Sequence, residues 1–186
     1  MPLRGEVFKF AIPMSKYPTF QTERLELRPV LPHDAAFILA LLNSPKWKQF
    51  IGDRKVRTEA AAQRYIQERM LPQLERLGYG NFLVIRKSDG VKLGCVGIYD
   101  REGLDLMDLG FAFLPQFEKH GYATEASTRL LRAAREDFGI DRLSAITLEA
   151  NTASRALLER LGFTFQEIIR IPNDPEDLMR YEKTEI

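Results

Sequence analysis

The stretch Leu109-Gly110-Phe111-Ala112-Phe113-Leu114-Pro115-Gln116-Phe117-Glu118-Lys119-His120-Gly121-Tyr122-Ala123-Thr124-Glu125-Ala126 decides the reading of this chain. Its first six residues are an apolar, β-prone run, Pro115 to Gly121 is a loop, and from Tyr122 the period lengthens to that of a helix carrying Ala123, Ala126, Leu130 and Ala134 on one face. A strand that feeds a helix through a tight loop aims unpaired backbone N–H groups at one point, where the helix dipole also favours negative charge. Phosphate is a natural ligand there. Gly121 allows close backbone approach, Ala123 keeps the first turn free of bulk, and Lys119 and His120 add positive character. Geometry of this kind is common in helices that bind nothing, and His120 also reads as a solvated side chain. Neither the Gly-Lys-Ser/Thr phosphate loop nor the Gly-x-Gly-x-x-Gly dinucleotide fingerprint is present.

Working outward, the C-terminal side reads as a strand over Leu143–Leu148, a helix over Thr152–Leu161 closed by Gly162, a strand over Phe163–Ile171, and a last strand over Leu178–Lys183. Asn151 stands where a helix cap is expected. On the N-terminal side, Asn81–Lys87, Val91–Tyr99 and Leu106–Leu114 are three strands joined by short connections, which predicts an antiparallel meander. Before them, Leu25, Leu27 and Val30 mark a strand ending at Pro29. Pro32-His33-Asp34 opens a helix that Ser44-Pro45 stops, with His33 a first-turn residue, and Thr58-Glu59 opens a longer helix closed by Gly78, with a kink or break expected at Pro72. Residues 1–20 read as an extension, with Val7, Phe8, Phe10 and Ile12 as a short strand or packing arm; residues 21–186 read as one domain. The element order predicts a single-domain α/β fold of the α+β kind, a mixed sheet with helices on its faces.

Composition narrows the function classes. The 186 residues carry 27 basic and 26 acidic side chains, so no basic excess points to nucleic acid. The single cysteine, Cys95, excludes an internal disulfide framework and reads as a buried small hydrophobe. No segment approaches the roughly 18 apolar residues of a membrane span, and charges at Arg4, Glu6 and Lys9 interrupt any signal-peptide pattern, so cytoplasm is the expected location.

Four segments taken in order resemble the GCN5-related N-acetyltransferase (GNAT) superfamily, in particular its branch of ribosomal-protein-alanine N-acetyltransferases: Thr22-Glu23-Arg24-Leu25-Glu26-Leu27-Arg28, Asp108-Leu109-Gly110-Phe111, Lys119 through Ala126, and Asn151-Thr152-Ala153-Ser154 through Leu161-Gly162-Phe163. The resemblance implies a seven-stranded, mostly antiparallel sheet splayed into a V between two parallel strands, here Leu106–Leu114 and Leu143–Leu148. It implies acetyl-CoA as donor, its pantetheine along the backbone of Phe111, Ala112 and Phe113, its pyrophosphate on the N–H groups of Lys119, His120, Gly121, Tyr122, Ala123 and Thr124, and contacts from Asn151 and Ser154. The acceptor implied is a primary amine, either a protein N-terminal α-amine or a small amine such as a polyamine, aminoglycoside or amino acid, attacking the thioester directly. A non-catalytic acyl-CoA-binding module is the reading from another class.

Under that resemblance Asp108 is the preferred base and Glu149 the next, sharing a strand face with Asn151 if the strand runs that far. Ser154 acts as acid through a water or orients CoA, and a backbone N–H near Phe113 is the oxyanion donor. Trp47 and Phe50 line the acceptor pocket or simply pack a short helix. No metal, membrane or nucleic-acid partner is implied, and a homodimer is one open arrangement. The sequence departs from the family pattern at three places. Glu118 stands where the loop often opens with Gln or Arg, Lys119 where Gly is frequent, and Leu158 where many members carry a tyrosine acid.

Overall fold

The computed structural model describes residues 16–186; the arm expected around Val7–Ile12 lies outside the described residues. The chain enters the sheet at Phe20–Gln21 (β1), which folds back antiparallel on Leu25–Pro29 (β2), with Phe20 opposite Leu27. The boundary drawn at 20/21 therefore falls inside β1, and Tyr17 is already buried. The alternation in β2 buries Leu25 and Leu27 completely, each contributing about 1.5–3 kcal/mol relative to exposure.

A 3-10 turn at Pro32–Asp34 leads into α1 (Ala35–Leu42). Pro45 does stop α1, as expected, but it also starts a helix the sequence reading lacked, α2 (Pro45–Phe50). Ser44 is extended (ψ 147°) and the proline occupies the first turn, where its missing N–H costs nothing. Next come α3 (Glu59–Tyr65), capped by the Thr58 hydroxyl, a π-helical turn over Ile66–Met70, and α4 (Leu71–Leu77). The break anticipated at Pro72 is this π turn. Proline cannot donate into the ladder and crowds the preceding turn, so the helix widens before it.

The meander follows as β3 (Asn81–Arg86), β4 (Lys92–Tyr99) and β5 (Asp108–Phe113), antiparallel throughout. Then come α5 (Tyr122–Glu136), β6 (Arg142–Thr147), α6 (Thr152–Arg160), β7 (Thr164–Ile169) and β8 (Leu178–Thr184). The strands form one open sheet in the order β1-β2-β3-β4-β5-β6-β8-β7. It has eight strands rather than seven, because the two-residue β1 adds an edge too short to show periodicity.

Helices cover both faces. On one, α5 lays Ala126, Leu130, Ala133 and Ala134, all fully buried, against a core that includes Leu25, Leu27, Val96, Ile98 and Leu109. On the other, α1, α3, the π turn and α4 pack Ile38, Ala62, Ile66 and Leu74 with Leu83 and Cys95. Cys95 is the buried hydrophobe expected of it, and burial pushes its thiol far above the usual range. Between β2, the first 3-10 turn and β4 lies a fully buried carboxylate, Asp34. It accepts two hydrogen bonds from Arg28 (both 2.8 Å), one from Lys92 (2.7 Å) and one from the Leu31 N–H (2.9 Å).

Candidate active site

The sheet comes apart at one place. β5 and β6 run parallel, but their register holds a single partner pair, Asp108 with Ser144, supported by the Ser144 N–H donating to the Met107 carbonyl (2.9 Å). Beyond that pair the strands separate, which is the V expected between the two parallel strands.

Alternation along β5 fixes which backbone groups line the opening. The Leu114 N–H donates to Leu93 of β4 (3.0 Å), so the peptide groups of Ala112 and Gly110 also point to β4, while those of Leu109, Phe111 and Phe113 point to the β6 side. Phe111 and Phe113 therefore offer unpaired N–H and C=O groups to an extended ligand. Ala112, expected to join them, cannot do so through its backbone, because its polar groups are engaged with Cys95.

At the wide end of the V, the chain turns through Lys119 (φ +62°) and Gly121 (φ +80°) into α5. Two left-handed residues so close together curl the loop around its own N–H groups. Gly121 is the helix cap and has no side chain to bond the first turn. Glu125 makes the first intrahelical bond, to the Gly121 carbonyl (3.0 Å). Among the described residues, the N–H groups of Lys119 through Thr124 donate to no protein acceptor. A phosphate fits such a cradle.

The cradle is braced from outside. Arg24 donates to the His120 carbonyl (3.0 Å), pairs with Glu125 (2.6 Å) and lies 4.6 Å over the Tyr122 ring. Glu125 also accepts from the Thr22 hydroxyl and the Arg24 N–H. The His120 ring stacks on Tyr122, and its Nδ1 lies 2.6 Å from the Glu118 carbonyl. A carbonyl only accepts, so Nδ1 carries the proton and His120 acts first as a loop brace. Glu118, the residue that departs from the family pattern, forms an ion pair with Lys46 of α2. That pair ties the helix bearing Trp47 and Phe50 to the loop. Trp47 is half-buried against the α1–α4 core, its enclosed indole N–H without a partner among the described residues, and Phe50 is half-buried at the end of the helix.

At the closed end of the V stands Asp108, 1% exposed. Its Oδ2 accepts from Arg101 Nε (2.9 Å), and its enclosed Oδ1 has no hydrogen-bond partner among the described residues. Burial pushes the carboxyl up to about 6, against the opposing pull of the Arg101 guanidinium and, more weakly, of the Ile146 N–H nearby on β6. Arg101 also lies 5.7 Å over the Tyr99 ring, and the Tyr99 hydroxyl donates to Asn81 (2.8 Å). That ring lies flat across two strands. A Cβ on Gly110 would sit 2.7 Å from it and one on Gly97 2.4 Å, so both positions need glycine for contact rather than for backbone freedom. Sequence reasoning missed Arg101, Tyr99 and Asn81, because they belong to three separate elements that only the antiparallel pairing unites.

The third wall is the start of α6. Asn151 caps the helix, its side-chain oxygen accepting the Ser154 N–H (3.2 Å), and the half-buried Ser154 hydroxyl has no partner among the described residues. Glu149 fares differently from expectation. β6 ends at Thr147, and Glu149 lies exposed in the turn beyond it, so it shares no strand face with Asn151. Leu158 is buried in the α5-side core, 1% exposed. Among the described residues, no group of His, Cys, Asp and Glu side chains is arranged to hold a metal, and no helix is long and apolar enough to cross a membrane.

Comparisons with known proteins bear on this geometry directly. A family model described as the acetyltransferase (GNAT) domain matches residues 24–164. The uncharacterized N-acetyltransferase YoaA of Bacillus subtilis is 23% identical over 155 residues, which is 83% of this chain and 87% of that protein. The crystal structure of an acetyltransferase from Agrobacterium tumefaciens superposes with a TM-score of 0.76 at 26% identity, covering 90% of this chain and 95% of that one. The structure of RimL, a ribosomal L7/L12 alpha-N-protein acetyltransferase in complex with coenzyme A, superposes with a TM-score of 0.77 at 17% identity, covering 90% and 98%. With a family match over most of the sheet and both flanking motifs, the chain belongs to the GNAT acetyltransferase family and is an acetyl-CoA-dependent N-acetyltransferase.

Proposed function

We propose that this chain transfers the acetyl group of acetyl-CoA to the α-amine of a protein or peptide N-terminus. The observation that carries the reading is Asp108 at the closed end of the V, a buried carboxyl with one oxygen unpartnered and an affinity for protons raised to about 6. An α-amine, with a pKa of about 8, already presents about a tenth of its molecules as free base at neutral pH and lies about two units from such a base. A lysine or polyamine ammonium, near 10.4, lies about four units away and is poorly matched. A pool of acids suited to a polycation is also missing. Asp105 is paired with Arg180 (2.6 Å) and Asp108 with Arg101, leaving Glu102 alone of the three acids that the sequence groups there. The likeness to a ribosomal-protein alpha-N acetyltransferase points the same way.

In this reading acetyl-CoA supplies the activated thioester. The backbone of Phe111 and Phe113 aligns its pantetheine arm, the N–H groups of Lys119 through Thr124 hold its pyrophosphate, and Asn151 and Ser154 flank the arm from α6. Asp108 takes the ammonium proton, directly or through water. The carbonyl oxygen on which charge develops lies near Asp108, so the Phe111 N–H, the first left free on β5 beyond it, is the donor rather than that of Phe113, about 16 Å along the strand from Asp108. Leu158 is core, so the departing thiolate finds no tyrosine there, and the Ser154 hydroxyl is the proposed proton source through water. Trp47 and Phe50, on the helix tied to the loop, border the acceptor.

The test is thiol release from acetyl-CoA with a panel of N-terminal peptides, polyamines, aminoglycosides and amino acids. Peptides with free α-amines should drive release and α-blocked peptides containing lysine should not. Release with a polyamine or aminoglycoside while every peptide stays silent would overturn the acceptor assignment.

A further inference from the structure

The β4–β5 loop, residues 100–107, is fastened at several points. At its start Asp100 pairs with Arg76 of α4 (2.7 Å). The Leu104 N–H closes a turn on the Arg101 carbonyl (3.2 Å). Gly103 lies so close to the β7–β8 loop that a Cβ there would stand 2.6 Å from the Pro172 ring and 3.3 Å from Ile171. Asp105 reaches across the V to Arg180 of β8 (2.6 Å). Held in this frame, Arg101 commits one donor, Nε, to Asp108 Oδ2, and among the described residues its two Nη groups donate to no protein acceptor. The Asp108 side chain is buried and that of Arg101 is 36% exposed, so the guanidinium is the part of the ion pair that faces solvent.

The pair thus sets an unpartnered carboxyl oxygen, Oδ1, beside a fork of free donors. An amine followed by an α-carbonyl is the complement of that arrangement, since its nitrogen and its carbonyl oxygen lie about 3 Å apart within one residue. A lysine side chain or a polyamine carries no hydrogen-bond acceptor at that spacing. We infer that Arg101 determines acceptor specificity: its Nη groups take the carbonyl oxygen of the acceptor's first residue while the amine is presented to Asp108, directly or through water. A planar, always-charged fork suits this double duty, one prong on the carboxylate and another on the carbonyl. The inference rests on the reading of Asp108 as the base for a peptide α-amine.

Thiol release from acetyl-CoA tests it with two peptides, one unmodified and one with an (E)-alkene in place of the first peptide bond, against the full chain and the variants Arg101→Leu and Arg101→Lys. The ratio of kcat/KM for the amide over the alkene peptide should fall about 10–100-fold from the unaltered chain to Arg101→Leu, as a hydrogen bond to a charged donor warrants. Arg101→Leu also removes the countercharge of Asp108 and should slow both peptides. That shared loss, like the different basicity of the two amines, cancels when ratios are compared. Arg101→Lys restores the charge but not the fork, so it should recover the shared loss and leave the ratio low. A ratio that stays the same in both variants would overturn the role of Arg101 while leaving Asp108 standing. The first residue supplied as a free amino acid carries the same α-carbonyl chemistry. It should be the poorer acceptor, and if it is the better one the peptide reading falls while the role of Arg101 stands. Silence of every peptide and amino acid while a polyamine or aminoglycoside drives release would bring down the acceptor reading, and this role with it.

Discussion

Replacing Asp108 by asparagine keeps the shape and removes the charge, and the structure predicts opposite effects on activity and stability. In the folded chain the carboxyl titrates at about 6, against an ordinary value near 3.8. The shift of about two units corresponds to about 3 kcal/mol of strain carried by the ionised form. Because the folded value lies above the unfolded one, the folded state keeps a proton that the unfolded chain has already lost. Asp108 therefore costs nothing below about pH 4, and its cost grows as pH rises from about 4 to 6. Asparagine cannot pay this penalty. The partially exposed Arg101 side chain can turn to water when its partner is neutral. Asp108→Asn should thus gain about 1–3 kcal/mol at pH 7.5, a rise of about 2–10 °C in Tm, and gain nothing at pH 4. The same variant should lose about 10²–10⁴ in kcat, together with the fall in kcat/KM that the unaltered enzyme shows as pH drops below about 6. Thermal unfolding at the two pH values and a pH profile of thiol release measure both. A variant that keeps the acid limb, or that is destabilised equally at pH 4 and 7.5, would refute the assignment of Asp108 as a strained, functional base.

Four further outcomes follow from the geometry. Burial alone would raise the Asp34 carboxyl, but bonds from Arg28, Lys92 and the Leu31 N–H outweigh it and hold the group at about 2. The folded value lies below the unfolded one, so about 2.5 kcal/mol of stability is present above about pH 4 and is lost as pH falls toward 2; urea melts across that range should show it. Asp34→Asn strands the buried Arg28 and should cost about 3–5 kcal/mol at neutral pH. Gly110→Ala drives a methyl into the Tyr99 ring, and chemical denaturation should record a loss of about 1–3 kcal/mol, relieved when Tyr99 is also shortened to leucine. Leu158→Tyr puts a larger, polar-tipped side chain into a full core and should lower stability by about 1–3 kcal/mol in the same measurement without raising the rate of thiol release.

Most of the fold was legible in local pattern. The period of two in Leu25–Pro29 and the meander, the small-residue face of α5, and the glycines after α4 and α6 are all short-range signals, and each element stands within a few residues of its expected bounds. What escaped was too short or too ambiguous to carry a period. β1 has two residues and exists only because β2 offers it an edge, and Pro45 reads equally well as the end of one helix and the start of the next. The loop of free N–H groups before α5 was legible for the same local reason, since strand, loop, glycine and helix are contiguous in the chain.

The reacting end of the site was only half legible. The resemblance singled out Asp108 as the preferred base, but its environment, at the closed end of the V, depends on Arg101, Tyr99, Asn81 and Ser144, brought together from β3, β4, the β4–β5 loop and β6. A carboxylate's affinity for protons is set by what excludes water from it and by which charge lies within reach, and neither is a property of its neighbours in sequence. The same holds for Glu149, where the sequence allowed a strand to continue and the turn before α6 ended it, and for Ala112, whose backbone direction follows from the register of β4 against β5. Residue types and their spacing determined the elements, the glycine turns and the helix that can receive phosphate. Strand register and burial, which are long-range and cooperative, decided which peptide groups stay free and which carboxyl is strained.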